Sequence, residues 1–255
     1  MNVNHMFFYI LLLISIPFCF IQAEDTNLLF HHYQVENGLS NNMVTACVQD
    51  GDGYIWIGTR DGLNRFDGYS FKGFRQDSDN HSLGSNWISS LACDSTGSLW
   101  VGTLSGLYEY NPDNETFRHI PFTTNKSITD FKFDMHNNLW LLLDGNLIKF
   151  NKANNEFKTF THHGGQYYTS FCITEGDQLW IGDAQGDVSL FDTKQESVKV
   201  FNLFNQTHSS SPQKIRNIFP SAYSNKLYVA YEHDDVKVLD TRSGNYEDLN
   251  IQKIS

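Results

Sequence analysis

Apolar and polar residues alternate along most of the chain in short runs, and the runs return in a fixed order. "GYIWIGT" centres on Trp56, "GSLWVGT" on Trp100, "NNLWLLL" on Trp140 and "DQLWIGD" on Trp180, while "NKLYVAY" puts Tyr228 in the Trp place. The spacings are 44, 40, 40 and 48 residues. Nine residues before each aromatic stand Cys47, Leu91, Phe131, Phe171 and Phe219. That column of apolar side chains predicts a buried Cys47. Six residues before the first three Trp, Asp50, Asp94 and Asp134 open the turns "DGDG", "DSTG" and "DMHN". Downstream of each aromatic come an alternating run, an Asx-rich turn and another short run. Alternation at period two marks a half-buried strand. Asp, Asn and Gly between the runs supply the Asx-turns and positive φ of tight hairpins. Each unit therefore reads as four short strands.

A four-stranded unit repeating every ~40 to 50 residues is the signature of a β-propeller blade. The predicted fold class is all-β, with about five blades over residues 24–255 and the ring incomplete. One blade cannot bury both its faces, so blades stack, and the Trp and Phe columns fill the gaps between sheets. The first 23 residues depart from this pattern. An apolar run from Met6 to Ile21 is short for a membrane span, and Ala23 precedes the acidic Glu24-Asp25. This reads as a secretory signal peptide, residues 1–23, although its start lacks Lys and Arg. A lipid anchor at Cys19 is the alternative, disfavoured by Phe18 where a small residue is expected.

Composition supports strands over disorder, with 20 Phe and 12 Tyr against 5 Pro. A net charge of −11 with no basic patch disfavours nucleic acid as a partner. After the signal, Cys47, Cys93 and Cys172 remain, too few and too far apart for a disulfide framework or a metal motif. The Asp-Gly-rich stretch 51–68 is not an EF-type calcium loop, since Tyr54 and Ile55 hold the places of a carboxylate and a Gly. No metal or cofactor is expected. No Gly-x-Ser-x-Gly elbow, phosphate loop or zinc-helix motif is present. Paired acids such as Asp234-Asp235 read as solvated turns.

Residues 36–74, "ENGLSNNMVTACVQDGDGYIWIGTRDGLNRFDGYSFKGF", closely resemble the first repeat of two-component regulator propeller proteins. Weaker copies run from about residue 28 to 249; "LWLLLDG" lacks the Gly-Thr, and "LYVAYEH" lacks Trp and Gly. The resemblance implies the periplasmic sensor region of hybrid two-component systems, which binds oligosaccharides and signals to a histidine kinase. This chain holds no kinase region, so a non-catalytic sensing module is expected. Further blades, a second sensor chain or a homodimer are the expected protein partners. "LLFHHYQV", residues 28–35, looks like an outer strand surplus to its blade, which suggests an unfinished ring.

Propeller ligands gather where the inner strands begin and where strands two and three join. There lie Asn41, Asn42, Arg60, Asp61, Asn86, Trp87, His163, Asp183 and Gln185. Trp87 stands outside the repeat, and aromatic platforms beside Arg, Asn and Asp suit a sugar's apolar faces and polar rim. The candidate ligand residues are Asn42, Arg60, Asp61, Asn86, Trp87 and His163. The competing reading packs Trp87 between blades and pairs Arg60 with a carboxylate. A propeller lyase or glycan hydrolase, or a truncated structural or interaction propeller, is the alternative function, since fold alone excludes none of them.

Overall fold

Three Asp residues show how one repeat becomes one sheet. The Asp50 carboxylate accepts backbone N–H bonds from Asp52 (3.0 Å) and Tyr54 (2.9 Å), and its second oxygen takes the Trp56 indole N–H at 2.6 Å. Asp94 and Asp134 do the same for Trp100 (3.2 Å) and Trp140 (3.0 Å). Each Asp thus closes a hairpin turn and fixes the Trp that the next interface needs.

The computed structural model describes residues 30–79, 81–161, 167–174, 176–193, 195, 197–203, 213–233 and 235–249. Sheet one comprises β1 (Val44–Gln49), β2 (Ile55–Thr59), β3 (Gly62–Phe66) and β4 (Phe71–Phe74). Sheet two holds β5 (Ile88–Cys93), β6 (Leu99–Thr103), β7 (Gly106–Asn111) and β8 (Thr116–His119). Sheet three holds β9 (Ile128–Phe133), β10 (Leu139–Leu143), β11 (Asn146–Asn151) and β12 (Glu156–Phe160). Sheet four holds β13 (Tyr168–Thr174), β14 (Gln178–Asp183), β15 (Val188–Asp192) and β16 (Ser197–Phe201). Sheet five holds β17 (Ile215–Pro220), β18 (Lys226–Tyr231), β19 (Val236–Asp240) and β20 (Tyr246–Asp248). Every sheet is an antiparallel meander in chain order.

The innermost strands β1, β5, β9, β13 and β17 neighbour one another in that order. Four buried clusters lie between consecutive sheets, and each contains the Trp of the earlier one: Trp56, Trp100, Trp140 and Trp180. These Trp are 0 to 2% exposed, as the interleaved packing requires. Among the described residues no such cluster joins sheet five to sheet one.

Two expectations are corrected. Cys47 is exposed rather than buried, because it points with Ile57 and Asn64 to the face of sheet one away from sheet two. Cys93 is half-buried and Cys172 buried. Phe219 is 52% exposed and does not continue the Phe171 column. Cys172 pairs with Trp180, but Phe219 pairs with Tyr228, because the β17–β18 connection is one residue longer. Ile218, paired with Val229, holds the buried place instead.

The expected outer strand over 28–35 also fails. Residues 30–34 form no strand and Val35–Asn37 is a 3-10 turn. Its amides are used locally: Asn37 N–H reaches Gln34 O (2.9 Å), Gln34 N–H reaches Asn37 Oδ1 (2.9 Å) and Val35 N–H reaches Asn42 Oδ1 (2.9 Å). A ladder would need those same groups. Residues 28–29 and the signal segment 1–23 lie outside the described residues.

In sheet four, Thr174 stands where sheets one to three have Asp, and among the described residues the buried Trp180 Nε1 has no hydrogen-bond partner. An unmet buried donor costs roughly 1–3 kcal/mol. Thr174→Asp is therefore expected to stabilise the protein by about 1 kcal/mol. Urea unfolding monitored by Trp fluorescence checks this; an unchanged midpoint counts against the Asp-to-indole bond as a stabilising device.

Candidate functional site

The β2–β3 turn of each sheet and the segment entering the next inner strand share one face, because β1 and β2 run antiparallel. Arg60 N–H donates to Met43 O at 3.2 Å, and Gly62 N–H to Asn86 O at 2.7 Å. The turn is shaped by Thr59, whose hydroxyl donates to Gly62 O (2.8 Å) and accepts from Asp61 N–H (3.1 Å). Arg60 leaves that turn exposed and lies over the half-buried Trp87 ring, its guanidinium carbon 4.6 Å from the centroid. Beside it, Asp61 pairs with Arg75 (2.9 Å) and accepts from Asn86 Nδ2 (3.2 Å), while Asn86 Oδ1 accepts from Gln76 N–H (2.7 Å).

Four sequence candidates thus meet at one junction between sheets one and two: Arg60, Asp61, Asn86 and Trp87. Among the described residues Arg60 makes no ion pair, so the competing reading that pairs it with a carboxylate is not met; Asp61 finds Arg75 instead. Asn42 is committed to Val35 N–H and Asn41 to Met43 N–H (2.7 Å). Asp183 is a turn former, 4% exposed, taking the place of Thr59 in sheet four and accepting from Gln185 N–H (2.8 Å) and Asp187 N–H (3.0 Å). His163 lies outside the described residues. The Trp87 place in sheet four belongs to Tyr167, 49% exposed, which sits over the Gly145 turn so closely that a Cβ there would lie 2.4 Å from Tyr167 Cβ.

A second feature escaped the motif search. The five innermost strands line an axial cavity of ≈ 520 Å³. In every sheet the inner strand carries a β-bulge one residue after its start, at Thr45, Ser89, Thr129, Thr169 and Arg216. Such irregularities re-aim side chains. They bring Thr45, Ser89, Thr129, Thr169 and Arg216 to the wall in one ring, and Ala46, Ser90, Asp130, Ser170 and Asn217 in the next. Cross-sheet bonds tie the rings: Thr45 Oγ1 to Ile88 O (2.7 Å), Ser90 Oγ to Asp130 Oδ1 (3.1 Å) and Ser170 Oγ to Asn217 Oδ1 (3.3 Å). Lys132 pairs with Asp130 and lies 4.8 Å over the Phe171 ring. The signal was present in "VTACV", "ISSLA", "ITDFK", "YTSFC" and "IRNIF", where a hydroxyl precedes a small or polar residue in four of five repeats.

The thiols are not poised for nucleophilic chemistry. Burial pushes Cys172 up to about 12 and, with help from the Asp50 and Asp94 charges, Cys93 to about 11; partial desolvation also raises the more exposed Cys47. Among the described residues no group of three His, Cys, Asp or Glu could hold a metal ion.

Residues 38–61 and 82–105 match the family of two component regulator propellers. These two segments are two-component regulator propeller repeats. Both matched segments span a blade entry, the inner strand, the Asp turn, the Trp strand and the Thr turn. Histidine kinase P4 of Formosa agariphila is 40% identical over 60 residues, 24% of this chain and 4% of that protein. Among solved structures, an extracellular domain from B. thetaiotaomicron described under the hybrid two component system BT4673 superposes with a TM-score of 0.65 at 19% identity. The match covers 77% of this chain and 27% of that one. Virginiamycin B lyase from Staphylococcus aureus gives a TM-score of 0.69 at 13% identity, over 91% of this chain and 77% of the lyase. These two structures share the fold. The chain spans well under half the length of the two-component proteins it resembles.

Proposed function

We propose that these repeats form the ligand-recognising part of an extracytoplasmic sensor in two-component signalling, binding oligosaccharide on the face of the Arg60–Trp87 junction. The observation that carries this reading is the exposed Arg60 guanidinium stacked on Trp87, with Asp61, Asn86 and Arg75 beside it. A sugar ring packs its C–H face on an aromatic plane while its hydroxyls need paired donors and acceptors, and the junction offers both. The module itself has no catalytic role, and its output passes to a kinase elsewhere. A secretory signal at 1–23 fits a periplasmic location.

Calorimetry with a panel of plant and microbial oligosaccharides tests the reading. Trp87→Ala should weaken the best binder roughly tenfold, the loss of one aromatic contact of about 1–2 kcal/mol. Arg60→Ala should weaken it less, without lowering thermal stability. Absence of heat with every glycan sinks the proposal, and turnover of any of them by the purified chain would favour the lyase or hydrolase reading instead.

A further inference from the structure

The axial cavity differs from the Arg60–Trp87 junction in its lining, with strand hydroxyls in place of an aromatic ring. Its bulge ring holds a hydroxyl in four sheets and Arg216 in the fifth. Arg216 is exposed and, among the described residues, makes no ion pair. The two other charged groups on the wall, Asp130 and Lys132, neutralise each other. Glu232, at the β18–β19 turn on the face where the inner strands begin, is taken by Lys214 at 2.9 Å. Among the described residues Arg216 is thus the one charged group of the cavity wall without an ion pair, with the Glu232 carboxylate near enough to interact with it, inside a chain of net charge −11. A guanidinium in a concave site with low-dielectric walls attracts and orients an oxyanion by paired N–H bonds. The volume, ≈ 520 Å³, falls within the range of small-molecule sites.

We infer that the axial cavity admits the acidic group of a sugar, a uronate carboxylate or a sulfate ester, with Arg216 as its anion-binding side chain. The inference rests on the sensor reading for the sugar and on Arg216 for the charge. Arg216 stands at the start of its inner strand, as Trp87 does at the entry to β5.

Titration calorimetry on the whole chain with digalacturonic acid, its neutral dimethyl ester and a sulfated galactose disaccharide tests this. The acid or the sulfated sugar should bind at least about tenfold more tightly than the ester, as expected for a hydrogen bond to a charged group. The relative affinities of the two charged sugars tell carboxylate from sulfate. Arg216→Gln should abolish the preference, Arg216→Lys should restore part of it, and both variants should melt with the parent. Equal binding of acid and ester, an unchanged preference in Arg216→Gln, or no binding by either charged sugar overturns the inference. If neutral glycans still bind in a Trp87-dependent way, only the anion site falls; if nothing binds, the sensor reading falls with it.

Discussion

Replacing Asp94 with alanine should lower the unfolding free energy by about 3 kcal/mol, the low end for breaking a buried ion pair. The Asp94 side chain is 1% exposed and does four things at once. It accepts N–H bonds from Thr96 (2.9 Å) and Ser98 (3.1 Å), takes the Trp100 indole N–H at 3.2 Å, and pairs with Lys152. Lys152 comes from the β11–β12 turn of sheet three and lies 5.4 Å over Trp100, so Asp94 ties two blades together. Burial alone would push its carboxyl up, but the Lys152 ammonium and the Thr96 hydroxyl and amide outweigh it and bring it down to about 2. In the unfolded chain an Asp titrates near ~4. A depressed folded value means the stabilisation is complete above pH ~4 and is lost as pH falls through the folded value of about 2. The pH-dependent part is about 2 kcal/mol. Urea titrations of the parent and of Asp94→Asn across this window check the sign. The parent's lead should shrink on acidification; a constant difference would mean that Asp94 acts only as a turn former.

The same residue shows what the sequence carried and where it stopped. Asp50, Asp94 and Asp134 were visible as turn openers, six residues ahead of their Trp, because both ends of that geometry are local. Lys152 was not, since it comes 58 residues later and only blade stacking brings it to Asp94. Trp56, Trp100, Trp140 and Trp180 declared themselves as interface residues by their period. Phe219 misled, because counting back from the aromatic assumes a constant turn, and the fifth turn has an extra residue. Cys47 misled differently: its column is buried only where another sheet covers it. Arg60 and Trp87 were found separately by residue type, whereas their stacking needed the β2–β3 turn and the next blade entry to meet. The axial hydroxyls stood in register throughout, yet Thr and Ser in a strand look ordinary until the bulges bring them to a common cavity.

Gly58→Ala should cost about 2 kcal/mol, although Ala is usually the better strand residue. A Cβ at Gly58 would lie 2.6 Å from Ile88 Cγ2 and 3.0 Å from Ile88 Cβ, closer than carbon atoms approach. Ile88 opens the inner strand of the next blade and is fully buried, so it has nowhere to yield. The contact recurs: Gly102 faces Ile128 Cγ2 at 3.0 Å and Gly182 faces Ile215 Cγ2 at 2.7 Å from the same hypothetical Cβ. In sheet three the Gly place holds Leu142, and there the next blade opens with Tyr168 rather than Ile; both belong to one buried cluster. The Gly in "WIGT" thus makes room for a neighbour and serves no turn, since Gly58 is not among the positive-φ glycines. Two further variants separate this cause from any general effect of removing glycine. Gly73→Ala, in β4 with nothing within 4 Å of the new Cβ, should be neutral or slightly stabilising. Ile88→Ala alone should cost about 3 kcal/mol, and adding Gly58→Ala to it should then cost only about 1 kcal/mol, since the 2.6 Å contact with Cγ2 is gone while the 3.0 Å contact with Cβ remains. Urea midpoints for the four-member cycle give the coupling directly, expected at about 1 kcal/mol in favour of the double variant. Additive losses would mean that the glycine sets strand geometry by itself, and the spacing between blades would need another explanation.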